Sequence, residues 1–309
     1  MKLISYQEKS GGKAWRIGCL EEGTIIDLQD AYQKLLTSKS KNNEATIESI
    51  IPAETTLFFK AGERALVQAK LAYEYALQHL NEVQTFERAD VVIGTPIPNP
   101  GKIICVGRNY AEHAAEMQGD IPDYPVLFAK FSNALIGPDD KIEKTLFTEK
   151  LDYEVELVLV IGKEATRVKE KDALDYIAGY TIGNDTSARD LQKRTLQWLQ
   201  GKTLDRSTPI GPWVIPADEI GDPSDLSIKS YVNGEERQAS NTSKLIFNIP
   251  FLIEFISNIM TLEPGDIIMT GTPDGVGTAM NPPKYLQSGD VVTLEIEKIG
   301  SMENEVIEK

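Results

Sequence analysis

The stretch from Leu151 to Gly162, L-D-Y-E-V-E-L-V-L-V-I-G, constrains the fold of this chain more than any other. Its β-branched and apolar residues, closed by a glycine, predict a β-strand. Residues two apart on a strand share a face, so Asp152, Glu154 and Glu156 are expected side by side. Both faces turn apolar towards Gly162, which favours an interior strand over one with a solvated face.

Carboxylates on such a strand repel each other and lose hydration. They must therefore be neutralised, either by protonation or by a cation. A site whose ligands are all oxygen atoms favours a hard ion such as Mg²⁺, Mn²⁺ or Ca²⁺. The alternative is a strand that leaves the core with its glutamates at a wet end. The stretch by itself leaves both interpretations open.

Composition and charge limit the class of protein. A chain of 309 residues can form one large domain or two unequal ones, and 41% hydrophobic with 26% charged residues is ordinary for a soluble globular protein. The formal net charge of −15 argues against nucleic acid or an anionic membrane as the main partner. A small anionic substrate is compatible with this charge if a cationic pocket or a metal ion receives it.

The cysteines and the N-terminus bear on the cellular compartment. Cys19 and Cys105 are far apart in the sequence, and reduced thiols in the cytosol are the default for such a pair. The first five residues lack the long apolar run of a signal peptide, and no stretch has the apolar length of a membrane span. We therefore expect a cytoplasmic protein without a membrane partner.

Residues 1–95 are predicted to form a small α/β domain. Its clearest element is a helix rich in Ala, Leu, Glu and Lys with apolar residues at helical spacing. His79, near the end of that helix, is expected to be a surface residue. The elements predicted for this domain are a hairpin turn at 21–23, a helix over 28–36, a polar loop over 38–43 and the long helix over 62–83.

A second domain is predicted from residue 100 to residue 309. Prolines and glycines between Val91 and Lys102 indicate a linker, where we place the boundary. A short strand over 103–107 then leads into a segment in which His113 and Glu116, if helical, share one face. A carboxylate beside an imidazole orients it and raises its basicity, as a water-activating general base requires. An ordinary surface ion pair gives the same spacing, so both interpretations remain.

Further candidate residues follow the strand at 151–162. Asp185 ends a predicted strand over 179–185, where it can project into a cleft or cap the following helix. Lys202, on a predicted loop, can present its charge to a carboxylate or oxyanion, or can be a plain surface lysine. Arg189 with Asp190 fits a structural pair. The glycine-rich loop at 271–277 lacks the order of a nucleotide-binding loop, which excludes nucleotide binding and leaves close backbone approach to a small ligand.

The polar, turn-rich segment over 118–124 suits a lid that orders over a ligand. Taken with this segment, the motifs resemble the fumarylacetoacetate hydrolase family over about residues 100–309. No motif is decisive alone, but five in the right order make chance agreement very unlikely. The motifs are G-R-N-Y-A-E-H-A-A-E-M at 107–117, L-D-Y-E-V-E-L at 151–157, G-Y-T-I-G-N-D-T-S-A-R-D at 179–190, G-K-T-L-D at 201–205 and T-G-T-P-D-G-V-G at 270–277.

The resemblance implies an α+β fold, with a catalytic domain built as a mixed β-sandwich roll. It also implies a homodimer and a bound divalent metal, Mg²⁺ or Mn²⁺, with Ca²⁺ as a further option. Residues 1–95 resemble the accessory domain of longer members only loosely. Matched by position, the implied metal carboxylates are Glu154, Glu156 and Asp185, the water-activating dyad is His113 with Glu116, the substrate-polarising lysine is Lys202, and further substrate contacts are Arg108, Lys130, Arg189 and Thr272.

The implied reaction acts on a small anionic keto acid whose α-keto-acid end chelates the metal. We expect a hydrolase that cleaves a C–C bond in an acylpyruvate or fumarylacetoacetate-like 1,3-diketo acid, through an enolate held by the metal. The dyad would deprotonate the attacking water. An oxaloacetate decarboxylase, an isomerase or a hydratase would use the same enolate and remains an alternative. A metal-binding interaction protein is the non-enzymatic alternative, and the intact set of matched residues argues against it.

Overall fold

The structure is a computed structural model, and it describes residues 1–11, 14–39 and 44–309. The predicted α+β class is confirmed, because helices surround a large mixed sheet, a five-stranded sheet and a two-stranded pair. Of the helices in the described residues, none combines the length and the apolar character that crossing a membrane requires. The polar loop predicted over 38–43 lies mostly outside the described residues.

The N-terminal part forms the edge of the large sheet. The turn at 21–23 joins two antiparallel strands, as predicted. The first helix begins after Asp27, whose carboxylate accepts the Asp30 N–H. The elements are β1 (Lys2–Glu8), β2 (Arg16–Glu21), β3 (Thr24–Asp27), α1 (Leu28–Ser38), α2 (Glu44–Ile50), α3 (Thr55–Lys60), α4 (Glu63–Gln78), β4 (Thr85–Glu87) and β5 (Val91–Gly94).

Two boundaries in this part differ from the prediction. The long helix α4 ends at Gln78 and not at Val83, because His79 leaves the helical conformation as its C-cap and Val83 turns into the core. Residues 91–94 are not linker. They form β5, which pairs antiparallel with β1, and their β-branched side chains favour the strand conformation. The division into domains near residue 95 stays a prediction.

The remaining chain supplies the centre of the large sheet and the whole five-stranded sheet. Its elements are β6 (Ile103–Gly107), α5 (Ala111–Glu116), β7 (Val126–Ala129), β8 (Leu135–Ile136), β9 (Ile142–Lys144), β10 (Leu151–Asp152), β11 (Val155–Ile161), β12 (Ile177–Asn184), β13 (Ser187–Ala188), α6 (Arg189–Gln192), α7 (Leu199–Lys202), β14 (Thr208–Pro216), α8 (Ala217–Ile220), β15 (Ser227–Val232), β16 (Glu235–Asn241), α9 (Ile249–Ile259), β17 (Ile267–Met269), β18 (Val291–Ile296) and β19 (Gly300–Glu308).

Strand β11 is the interior strand that the sequence predicts. It lies between β12 and β17, antiparallel to both, and all its residues are buried. Leu157 and Leu159 point into a core shared with the five-stranded sheet, whereas Val158 and Val160 point into a core shared with the N-terminal helices. Both faces are therefore apolar because each covers a separate core.

The predicted strand at 151–162 is nevertheless interrupted at Tyr153 and Glu154. At the break, the N–H groups of three successive residues donate to side chains and not to a neighbouring strand. Tyr153 donates to Asp152 Oδ1, Glu154 to Asn184 Oδ1 at 3.0 Å, and Val155, the first residue of β11, to Gln238 Oε1 at 3.1 Å. The piece before the break, β10, pairs instead with β13. The prediction of one continuous strand was therefore wrong, and the break releases Glu154 from strand geometry.

The helix predicted to follow Asp185 also begins later. The Thr186 hydroxyl donates to the Ser207 carbonyl at 2.6 Å and so does not cap a helix. Residues 187–188 form β13, and the helix α6 starts at Arg189. Between β11 and β12, Glu170–Tyr176 forms a 3₁₀ helix that ends where Ile177 joins β12.

Candidate active site

Three buried carboxylates meet at the ends of β11 and β12. The ligand oxygens of Glu154, Glu156 and Asp185 all lie within 4.8 Å of one another. The register pairs Val155 with Asn184, so the residues on either side of that pair converge, and the Asp185 N–H donates to the Glu154 carbonyl at 2.9 Å. The structure thus brings together the predicted metal ligands. The alternative of a wet strand end is wrong, since at most 4% of any of these residues is exposed.

Two buried lysines contact this carboxylate triad. Lys202 Nζ lies 2.7 Å from Glu154 Oε2 and 2.5 Å from Asp185 Oδ2. Lys130 Nζ lies 2.8 Å from Asp185 Oδ1 and donates also to the Thr186 carbonyl. Lys202 ends the short helix α7 and is 2% exposed, so its interpretation as a loop or surface lysine was wrong. Burial alone would lower the pKa of Lys202, but the nearby Asp185 and Glu154 carboxylates outweigh burial and raise it.

The two glutamates of the triad differ in their electrostatic environment. Burial opposes ionisation of Glu154, but Lys202 and Arg189 outweigh it and hold the pKa of Glu154 below its usual range. For Glu156, burial and then the charges of Asp185 and Glu154 raise the pKa well above its usual range. Its carboxylate accepts the Gly271 N–H at 2.8 Å. Among the described residues, no lysine or arginine forms an ion pair with Glu156.

This donor set fits a divalent cation. The ligands are all carboxylate oxygens, as Mg²⁺ and Mn²⁺ prefer, and a bound cation would stabilise the ionised form of Glu156, which pairs with no lysine or arginine among the described residues. The residues that would hold the ion are therefore Glu154, Glu156 and Asp185.

Metal binding is expected to stabilise the fold, because the ion removes the repulsion at Glu156. Adding Mn²⁺ at 100 to 1,000 times its dissociation constant should raise the free energy of unfolding by about 3–4 kcal/mol over protein kept in a chelator. Urea unfolding with and without Mn²⁺ measures this difference. A difference near zero, repeated with Mg²⁺, would contradict a metal site in the triad.

Arg189 joins the triad to a fourth buried carboxylate, that of Asp152. Its Nε lies 2.8 Å from Asp152 Oδ2 and its Nη2 lies 2.7 Å from Glu154 Oε1. The interpretation of Arg189 and Asp190 as a structural pair was wrong, because Asp190 instead accepts from the Thr148 hydroxyl at 2.6 Å. Arg189 therefore belongs to the wall of the site.

Sequence reasoning gave Asp152 no role. Its carboxylate accepts from Arg189 and from the N–H groups of Tyr153, Gly277 and Thr278 at 2.8–3.0 Å. It therefore holds Arg189 against the glycine-rich loop. Its place on the stretch that carries the two glutamates was the one feature of the sequence that could have pointed to it.

The predicted dyad is formed at one end of the short helix α5. His113 Nδ1 lies 2.7 Å from Glu116 Oε1, and Glu116 Oε2 accepts the Gly275 N–H at 2.9 Å. A carboxylate only accepts hydrogen bonds, so Nδ1 carries the proton and Nε2 has no partner among the described residues. His113 is 6% exposed, so the surface ion pair was the wrong interpretation.

These groups line one cavity of about 640 Å³. Thr272 faces it while its hydroxyl donates to the Val155 carbonyl, and Arg108 lines it near Gly119, in the segment that was predicted to act as a lid. Lys130 does not line this cavity and lines a separate one instead. Its charged and polar lining includes Arg108, His113, Glu154, Glu156, Asp185, Arg189, Gln192, Lys193, Lys202 and Thr272. The roles given to them from the sequence stay predictions.

The comparisons with known proteins cover the whole chain. A fumarylacetoacetate hydrolase C-terminal model matches residues 102–307. A Dictyostelium discoideum fumarylacetoacetate hydrolase domain-containing protein 2 homolog is 42% identical over 99% of this chain and 97% of its own. The oxaloacetate tautomerase YisK of Bacillus subtilis is 41% identical over 93% of this chain and 94% of its own.

A solved structure agrees with these relatives. This is the structure of the maleylpyruvate hydrolase from Sphingobium sp. SYK-6 in complex with manganese(II) ion and pyruvate. It is 30% identical in sequence, the match covers 100% of this chain and 99% of the hydrolase chain, and the TM-score is 0.72. The fold, the motifs and the buried carboxylates therefore all agree with the family that these comparisons indicate. The chain belongs to the fumarylacetoacetate hydrolase family.

Proposed function

We propose that the protein is a divalent-metal-dependent tautomerase that interconverts the enol and keto forms of a small α-keto acid, with oxaloacetate as substrate. The observation that carries the proposal is the His113–Glu116 pair, which presents an imidazole with a free Nε2 to the cavity of the carboxylate triad. Support comes also from relatives named oxaloacetate tautomerase, at 40% identity in Xenopus laevis and 41% in Bacillus subtilis.

The floor of the cavity is arranged to stabilise negative charge on the ketone oxygen. When bound by the triad, a divalent ion would supply Lewis-acid polarisation of that ketone. The ammonium of Lys202 and the guanidinium of Arg189 are already fixed by carboxylates, so they stabilise developing charge without reorganising. The cavity floor thus favours the enolate oxygen over the neutral ketone from which it forms.

The proton transfer falls to the dyad. Starting from the keto form, His113 Nε2 accepts the proton of the carbon next to the ketone. The C–H electron pair becomes a C=C bond, and the ketone oxygen takes the negative charge. The His113 imidazolium then returns this proton either to that oxygen, which gives the enol, or to the carbon, which regenerates the keto form. Glu116 holds the ring and balances the imidazolium charge between these steps.

Removing the dyad is expected to slow tautomerisation strongly. His113→Asn and Glu116→Gln should each lower kcat for enol-oxaloacetate by about 10²–10⁴-fold, since each removes general acid–base catalysis. The decay of enol absorbance, corrected for the uncatalysed rate, measures the effect. Glu112→Gln is the matched control, because Glu112 lies on the same helix but pairs with Lys244 in solvent. Equal rates in wild type and His113→Asn would contradict the mechanism.

Hydrolysis of a C–C bond is the second candidate, as the sequence predicted. It is favoured by similarity to a maleylpyruvate hydrolase and by the dyad, which could equally deprotonate a water. Product analysis separates the reactions: tautomerisation conserves all carbon atoms, decarboxylation of oxaloacetate releases CO₂, and hydrolysis of acetylpyruvate releases acetate. Turnover of none of these substrates would favour the metal-binding interaction protein. The homodimer and the cytoplasmic location stay predictions.

A further inference from the structure

The mouth of the cavity carries two cations that lack acidic partners. The deeper cations are all paired: Lys130 with Asp185, Lys202 with the triad, and Arg189 with Asp152 and Glu154. Arg108 and Lys193 line the same cavity, are exposed, and have no ion pair with any described residue. Their place at the cavity distinguishes these two from other unpaired cations on the surface, because a ligand that enters the cavity can reach their charges.

Arg108 is held at this opening by its backbone. Its φ of +55° is in the left-handed region, which an arginine rarely adopts and which costs energy. Asn109 fixes that conformation through hydrogen bonds to Phe247 and to the Thr270 carbonyl. The guanidinium reaches towards Gly119, just after the helix of the dyad. The fold thus maintains a strained arginine whose charged end is left free.

Lys193 extends a row of polar groups outward from the triad. Its N–H donates to the Arg189 carbonyl, so it lies one helical turn, about 5.4 Å, beyond Arg189 on the same face. Gln192, only 8% exposed, accepts from Arg189 Nη1 at 3.2 Å through its oxygen, and its NH₂ group has no partner among the described residues. Free donors therefore line the path from Arg189 to the opening.

The charges deep in the site can neutralise one substrate carboxylate but not two. With all four ionised, as metal ligation requires of the triad, the buried carboxylates face three buried cations, which leaves one negative charge. A divalent ion would change this to one positive charge, which one carboxylate of the substrate balances. A second carboxylate must then find its cations elsewhere. The four carboxylates are those of Asp152, Glu154, Glu156 and Asp185, and the three cations are Lys130, Arg189 and Lys202.

We propose that Arg108, Lys193 and the Gln192 amide form a subsite for a second carboxylate, so that the protein selects dicarboxylic keto acids over those with an uncharged tail. The proposal rests on the proposed function, because it places the α-keto-acid end of the same substrate at the triad. Charge-assisted hydrogen bonds from a guanidinium and an ammonium are the contacts that a carboxylate prefers.

The test compares oxaloacetate with its monomethyl ester at the carboxylate distant from the ketone. Wild type should show a higher kcat/KM for the diacid, and Arg108→Gln or Lys193→Gln should each lower the diacid-to-ester ratio of kcat/KM by about tenfold. Arg194→Gln is the matched control, because Arg194 is the next cation along the chain but lines a different cavity. Its ratio should equal that of wild type.

A binding measurement separates this subsite from the proposed reaction. On protein loaded with Mn²⁺, malate and lactate share a hydroxy-acid end, and malate alone adds a distant carboxylate. The two variants should weaken malate binding by about tenfold and lactate binding little. If the wild type tautomerises neither oxaloacetate nor its ester, the proposed function is overturned. The malate affinities of wild type and variants still test the subsite, because they do not depend on turnover. Unchanged ratios and unchanged malate affinity in both variants overturn the subsite.

Discussion

Glu156→Gln is expected to abolish metal-dependent turnover and yet leave the metal-free protein more stable than wild type. The Glu156 carboxylate is 2% exposed, lies beside two other carboxylates and has no ion-pair partner among the described residues. An amide of the same shape removes the repulsion and keeps an acceptor for the Gly271 N–H. We expect the free energy of unfolding in a chelator to rise by about 1–3 kcal/mol.

Glu154→Gln provides the matched comparison, since it changes a second ligand of the same triad. Glu154 contacts both Lys202 and Arg189, so its amide leaves two buried cations short of a partner. Metal-free Glu154→Gln should therefore lose about 3–5 kcal/mol of stability. Both variants should lose at least about 10³-fold in activity, because Lewis-acid stabilisation supplies several kcal/mol of the barrier reduction.

Urea unfolding in a chelator, beside enol-oxaloacetate decay in Mn²⁺, measures both effects. Opposite signs of the stability change in the two variants, with activity lost in both, would show that the site sacrifices stability to hold a cation. If Glu156→Gln were as destabilising as Glu154→Gln, Glu156 would have a cationic partner, and the argument for a metal would fail.

The sequence predicted most of this site because its residues lie in short motifs on regular elements. The spacing of Glu154 and Glu156 placed them together, and the strand before Asp185 placed it at a junction. The spacing could not predict which charged side chains are buried. Lys202 and Arg189 look like surface residues in the sequence, and only the packing of two four-residue helices against the triad removes them from water.

The break at Tyr153 and Glu154 was beyond sequence reasoning for a different reason. The side chains that take the N–H groups of Glu154 and Val155 come from Asn184 and Gln238, which lie 30 and 83 residues away. Local β propensity favours a continuous strand there, and tertiary hydrogen bonds override it. The same long-range contacts set the angle at which Glu154 meets the triad, so the break is part of the site.

Asp152→Asn is expected to damage both stability and catalysis, although Asp152 touches neither the cavity nor the triad. Its carboxylate accepts from Arg189 and from the N–H groups of Gly277 and Thr278, which ties the wall of the site to the glycine-rich loop. An asparagine still accepts from the loop but leaves the buried guanidinium with one carboxylate in place of two. We expect a loss of about 3–5 kcal/mol in the free energy of unfolding.

Asp152→Asn should also lower Mn²⁺ affinity or turnover by about 10- to 100-fold, because Arg189 then shifts against the metal ligand Glu154. This is the loss expected when a residue that orients a metal ligand is displaced. Asp190→Asn is the control: it lies beside Arg189 but binds the Thr148 hydroxyl and nearby N–H groups, so it should cost about 1 kcal/mol and leave Mn²⁺ affinity unchanged. A Mn²⁺ titration of both variants separates the two outcomes. If Asp152→Asn lost stability but kept wild-type affinity and turnover, Asp152 would be structural only, and the orientation of Arg189 would not depend on it.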